Sequence, residues 1–92
     1  MPVYVDNMRA PFGRMILCHM AADSTGELLA MADAIRVSRK WIQYSGTDRE
    51  HFDISLGRRA LAIQHGAIQL TMREFCARRW SAGTSPTNGA KS

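Results

Sequence analysis

Ninety-two residues, 46% of them apolar, suffice for one hydrophobic core and are too few for two. Twelve Lys and Arg against eight Asp and Glu leave a net charge of +4, which excludes a strongly charged disordered chain and favours acidic partners only weakly. The two cysteines, Cys18 and Cys76, form no Cys-x-x-Cys pair, so a disulfide framework or a cysteine-built zinc site is not expected, and both read as core.

In chain order, Pro2-Val3-Tyr4-Val5-Asp6 is rich in β-branched and aromatic residues and predicts a short strand with Asp6 at its carboxyl end. The segment Met8 to Gly13 holds a Pro and a Gly and reads as a connecting loop. Met15 to Ala21 is an apolar run of strand length, predicting a second strand buried on both faces and interrupted by His19. Asp23 or Ser24 supplies a helix N-cap, with Glu27 placed to complete a capping box from Ser24. Leu28, Met31, Ala32 and Ile35 then recur at spacings of three and four, predicting an amphipathic helix from Thr25 to Arg36.

Val37 to Tyr44 mixes aromatic and basic residues and is read as a third strand, followed by a surface loop over Ser45 to Glu50. After His51-Phe52-Asp53, Ser55 caps a helix to Gln64 that Gly66 stops in the left-handed conformation. Ala67 to Thr71 is a short strand by composition, and Thr71 with Glu74 forms a capping box for a last helix from Met72 to Trp80. A helix between two parallel strands predicts a right-handed crossover. The expected fold is thus a single α/β domain over residues 1–80, a three- or four-stranded sheet packed by three helices, with residues 81–92 as a flexible tail.

No stretch reaches the roughly 18 apolar residues of a membrane span, and the amino terminus lacks the order of a signal peptide, so the chain reads as cytoplasmic. Neither a Gly-x-Ser-x-Gly elbow, a Walker loop nor a Gly-x-Gly-x-x-Gly fingerprint occurs, which removes the main support for serine hydrolases, P-loop enzymes and dinucleotide enzymes.

Two groups of residues carry chemistry. Asp6, His19, Asp23, His51 and Asp53 fall at predicted strand ends, where small α/β sheets gather functional groups. In an extended segment His51 and Asp53 point to one face, a geometry suited to a divalent metal or to a His held by a carboxylate; Asp53 as a helix cap is the plain alternative. A histidine in an apolar run must find a partner or cost about 1–3 kcal/mol, and Asp6 and Asp53 are the candidates for His19. Asp6, His19, His51 and Asp53 are thus the candidate catalytic residues, and Asp6, Asp23, His51 and Asp53 the candidate metal ligands, for metal-assisted or acid–base hydrolysis of a phosphate ester. The second group is Arg39, Lys40, Trp41, Gln43, Arg58 and Arg59, in which aromatics beside cations suit stacked bases and phosphates. Arg78, Arg79 and Trp80 repeat the theme, although a terminal Trp is more often a packing anchor.

Several of these residues, in order, resemble domain of unknown function 4031: Val3-Tyr4-Val5-Asp6, His19, Ala22-Asp23, Glu27-Leu28, Trp41-Ile42-Gln43, His51-Phe52-Asp53, Arg59, Gly66-Ala67 and Arg73-Glu74. The similarity spans about residues 3–75. That family comprises small proteins of phages and bacteria without an assigned activity. Its triplet is usually His-Tyr-Asp, so Phe52 lacks a hydroxyl here, and Ile42 stands where Phe is common. The resemblance implies that Asp6, His19, Asp23, Trp41, Gln43, His51, Asp53 and Arg59 belong to the family pattern. The sequence leads with a non-enzymatic nucleic-acid or phosphate-binding accessory module. A small metal-dependent phosphoesterase or nuclease is the second reading, and a phage modulator that binds a host protein is the third.

Overall fold

The apolar run read as a second strand becomes the centre of a mixed sheet. The computed structural model describes residues 2–78. Their elements in order are β1 (Val3–Val5), β2 (Ala10–Phe12), β3 (Met15–Ala22), α1 (Thr25–Ala34), a 3-10 turn at Arg39–Trp41, β4 (Phe52–Ser55), α2 (Leu56–Gln64), β5 (Ile68–Gln69) and α3 (Met72–Cys76).

β3 is the longest strand and carries the others. On one edge it pairs antiparallel with β4, through Leu17↔Ser55, Cys18↔Ile54, His19↔Asp53 and Met20↔Phe52. Met20 also pairs with Val5, and Leu17 with Ala10, so β1 and β2 share the opposite edge end to end. β5 then lies parallel to β1. Five strands therefore make a sheet four ranks wide.

The period-two alternation sorts side chains onto two faces. Val3, Val5, Cys18, Met20, Ala22, Phe52 and Ile54 face one way and pack with Leu28, Met31, Ala32 and Ile35 from α1 and its C-cap, and with Ala62 of α2. Fully burying side chains of this size stabilises by about 1.5–3 kcal/mol each, so this face anchors the domain. The other face is only half covered. Tyr4 and Ala21 pack under Phe75 of α3, with the Tyr4 and Phe75 rings edge to face at 5.3 Å. Toward the amino-terminal end of β3, Met15 on that side is exposed, and so is Ile16 on the other. β3 is thus buried on both faces only toward its carboxyl end.

The local signals explain the helix boundaries. Ser24 caps α1, its hydroxyl accepting the Glu27 amide at 3.2 Å and donating to the Glu27 carboxylate at 2.7 Å. Ser55 caps α2, and Thr71 with Glu74 forms a reciprocal capping box on α3. Gly66 follows α2 with φ 99°, the left-handed stop its position predicts.

Two expectations are corrected. Ala10–Phe12 is a strand, not part of a loop: Gly13, at φ 60°, takes the first central position of a two-residue hairpin turn into β3, and Pro11 is tolerated because β2 is an edge strand. Val37 to Tyr44 is not a strand. Its middle coils into the 3-10 turn, and within it only Gln43 joins a ladder, through an isolated bridge to His51. The reason lies beyond the segment. Glu50 is 4% exposed and accepts bonds from the Thr25 hydroxyl at 2.9 Å and the Gly46 amide at 2.8 Å, folding the 44–50 loop back on α1. The expected helix end at Trp80 and the tail from 81 to 92 lie outside the described residues.

A side chain at Gly66 would meet no neighbour but would be forced into a left-handed backbone. Gly66→Ala is expected to cost about 1–2 kcal/mol, read as a lowered urea midpoint with an unchanged slope.

Candidate metal centre

The half-covered face carries a cluster of polar side chains. His19 on β3 and Asp53 on β4 are direct cross-strand partners and so project from the same side. His51, just before β4, is held by its two backbone bonds to Gln43 at 2.9 and 3.1 Å, and stands on that side too, two residues from Asp53. Tyr44 stacks on the His51 ring at 5.9 Å, with φ 54° turning the chain out of the bridge.

Asp6 fixes His19. Where β1 ends, the Asp6 amide donates to the His19 carbonyl at 3.1 Å, but the His19 amide donates to Asp6 Oδ1, at 2.9 Å. The carboxylate thus takes the place of its own main-chain carbonyl, which instead accepts from Arg59 Nε at 2.9 Å. Asp6 Oδ2 meets His19 Nδ1 at 2.6 Å, and Oδ1 also accepts from the Met8 amide at 3.2 Å. Asp6 is 1% exposed. Such a buried carboxylate is tolerable because these donors replace water.

The tautomers follow from the partners. A carboxylate can only accept from His19 Nδ1, and the Arg49 carbonyl can only accept from His51 Nδ1, at 2.7 Å. In the neutral form each ring with this tautomer presents Nε2 as a lone pair. Gln43 Nε2 donates to Asp53 Oδ2 at 2.7 Å and leaves Oδ1 facing the histidines. His19 Nε2 and His51 Nε2 lie 3.8 and 3.5 Å from that oxygen.

These separations are too long for direct hydrogen bonds. The 3.5 Å separation falls within the roughly 3.3–3.6 Å between ligand atoms around a tetrahedral ion with bonds of about 2.0–2.2 Å, and the 3.8 Å separation lies just beyond it. One ligand atom from each of His19, His51 and Asp53 lies within 4.8 Å of the other two. The side chains of His19, His51 and Asp53 are 23%, 13% and 34% exposed, so the cluster is in part reached by solvent. Each histidine has its second nitrogen on an oxygen, the outer support that orients metal-binding imidazoles.

The electrostatics agree with the contacts. Burial alone would raise the Asp6 pKa, but the bonds from the His19 ring and amide and from Met8 outweigh it and hold the carboxyl below its ordinary range. The bond to Asp6 raises the His19 pKa against the opposing effect of burial. Burial, reinforced by the Asp6 charge, pushes the Cys18 thiol up to about 11, so Cys18 behaves as core and not as a nucleophile.

The other proposed residues sort by position. Asp23 pairs with Arg78 at 3.3 Å, away from the cluster. Arg39 is engaged by Asp33 on the surface, at 2.7 Å. Lys40 sits over the Trp41 ring at 5.1 Å, and Trp41 is 63% exposed. Arg58 is exposed in the first turn of α2. Arg79 and Trp80 lie outside the described residues. A groove of about 540 Å³ is lined by Phe12, Met15, Leu17, Trp41, Gln43 and Asp53. Sequence reasoning missed the groove, the Tyr44 stack and the Arg49 carbonyl. Trp41, Gln43 and Asp53, all singled out in the sequence, line that groove and were the available signal.

The chain belongs to the family of proteins of unknown function DUF4031, whose profile matches residues 3–82. No curated protein and no solved structure matches it. No helix of the described residues is long and apolar enough to cross a membrane.

The Asp6–His19 pair makes stability depend on pH. A lowered carboxyl contributes above its ordinary 3.8 and is lost as pH falls through its folded value; a raised histidine contributes fully below 6.5 and is lost as pH rises through its folded value. The pair is therefore worth most between pH 3.8 and 6.5. In metal-free protein, the gap in urea stability between wild type and Asp6→Asn is expected to be wider at about pH 5 than at about pH 8.5. An equal gap at both would contradict the assignment.

Proposed function

We propose that this domain is a metal-dependent hydrolase of phosphate esters, with His19, His51 and Asp53 as the ligands of one divalent transition-metal ion. The observation that carries the reading is the convergence of two oriented Nε2 lone pairs and one carboxylate oxygen within 4.8 Å on a sheet face open to solvent. Structural zinc sites close all four positions with protein ligands, whereas hydrolytic sites keep one for water or substrate. The same donor set also serves iron oxygenases, but their reactive intermediates need a sheltered pocket, and here Asp53 is 34% exposed.

The metal would supply a bound water of lowered pKa and an electrophile for the phosphoryl oxygen. The chain's own residues set the geometry. Asp6 and the Arg49 carbonyl hold the two imidazoles, and Gln43 turns Asp53 so that Oδ1 points at them. In hydrolysis water would add to phosphorus and lose one proton to solvent, the ester P–O bond would break, and the leaving oxygen would take a proton from the same solvent. The net charge of +4 favours an anionic substrate.

The test is a thermal-shift titration with Zn²⁺, Mn²⁺, Co²⁺ and Mg²⁺, run beside hydrolysis of bis(4-nitrophenyl) phosphate. At about 100 times its dissociation constant, a bound ion adds about 2.7 kcal/mol, equivalent to roughly 10–20 °C in Tm. We expect a rise with a transition metal that is lost in His51→Ala and Asp53→Ala, and metal-dependent turnover lost with it. A rise without turnover would favour the binding module over the hydrolase. No rise with any ion would overturn the metal centre.

A further inference from the structure

The groove beside the cluster has the chemistry of a base-stacking site. Two large aromatic rings on it are exposed: Phe12, at 69%, from the β2–β3 hairpin, and Trp41, at 63%, from the 3-10 turn. Neither ring is needed to complete the core, whose buried members come from other positions. Met15 and Leu17, two residues apart on β3, also line the groove, and Met15 is itself 47% exposed. Apolar groups on so small a domain are held in water only at a free-energy cost, and three of the seven exposed large ones among the described residues line this one groove.

The polar end fits the same ligand. Gln43 commits its Nε2 to Asp53 Oδ2, which leaves Oε1 as an acceptor on the groove wall. Asp53 belongs both to the groove and to the metal cluster, so a ligand lying along the groove reaches the cluster at one end. Lys40 stands over the Trp41 ring at 5.1 Å and places a cation beside the groove at Trp41. A planar apolar ring with edge donors, joined to an anion, meets each of these groups in turn. A purely apolar peptide would leave Lys40 and the Gln43 acceptor unmatched.

We propose that the groove between Phe12 and Trp41 seats a base of single-stranded nucleic acid, with Lys40 near its backbone and the adjoining phosphodiester directed to His19, His51 and Asp53. This deepens the hydrolase reading and rests on it for the position of the phosphodiester. Base stacking itself does not require the metal, and the two can fail separately.

The probes are a thymidine strand of about eight nucleotides and an abasic strand of equal length and charge, both dye-labelled for anisotropy and used with metal-free protein in chelator. Trp41 emission is followed in a Trp80→Phe background, where it is the one remaining tryptophan. The thymidine strand is expected to quench Trp41 and to bind roughly 5- to 150-fold more tightly than the abasic strand, the range for one stacked base. Phe12→Ala and Trp41→Ala should each remove most of that preference. Both side chains are exposed, so an unchanged Tm in the variants separates lost contact from lost folding. Lys40→Ala should weaken both strands alike and flatten the salt dependence. Equal affinity for the two strands, failure of either to bind at millimolar concentration, or full binding by both aromatic variants would overturn the proposal. Retained stacking with no metal-induced rise in Tm would sink the hydrolase and leave the base site standing.

Discussion

The double hold of Asp6 on His19 is the constraint around which this domain is arranged. A carboxylate buried at the end of β1 would cost several kcal/mol without donors. It obtains them from the ring and amide of His19 and from the Met8 amide. Because the side chain stands in for the main-chain carbonyl, β1 cannot continue in register, and the chain leaves the ladder before returning as β2. That break fixes the His19 ring on the half-covered face, with its free nitrogen toward β4.

The remaining geometry is supplied by sheet pairing. His19 and Asp53 are neighbours because β3 and β4 pair in one register, and a slip of one residue would send Asp53 to the opposite face. Burial of Cys18, Met20, Phe52 and Ile54 under α1 and α2 makes such a slip costly, so the hydrophobic face sets the alignment of the polar one. α3 covers only the Tyr4 end, and Phe75 stacks on His19 at 5.7 Å, limiting the ring's motion without enclosing it. The result is a cluster with a packed back and a wet front.

Much of the fold was legible because its signals are local. Caps at Ser24, Ser55 and Thr71 and the stop at Gly66 each act within one helical turn, and the structure follows them. A partner for His19 and a shared face for His51 and Asp53 were also legible, since a histidine in an apolar run demands a partner and a His-x-Asp triplet faces one way, whereas Asp23, grouped with them in the sequence, pairs with Arg78 instead. What escaped was set by distant contacts. The 37–44 segment reads as strand by composition, yet Glu50, gripped by Thr25, pulls the following loop toward α1. β2 reads as loop because Pro11 and Gly13 are turn formers, although an edge hairpin accommodates both. The Arg49 carbonyl that orients His51 is main chain and leaves no mark in the side-chain pattern.

The substitution of a carboxylate for a main-chain acceptor also makes the backbone a sensor. The His19 amide and the His19 ring are bound to the two oxygens of one group, so their strengths are coupled through it. A cation drawing electrons from Nε2 would acidify the Nδ1 proton, tighten the ring's bond to Asp6 and shift charge away from the oxygen that holds the amide. Slow hydrogen exchange at one peptide group in the middle of β3 would then report on the occupancy of the cluster without any label on a metal or a substrate.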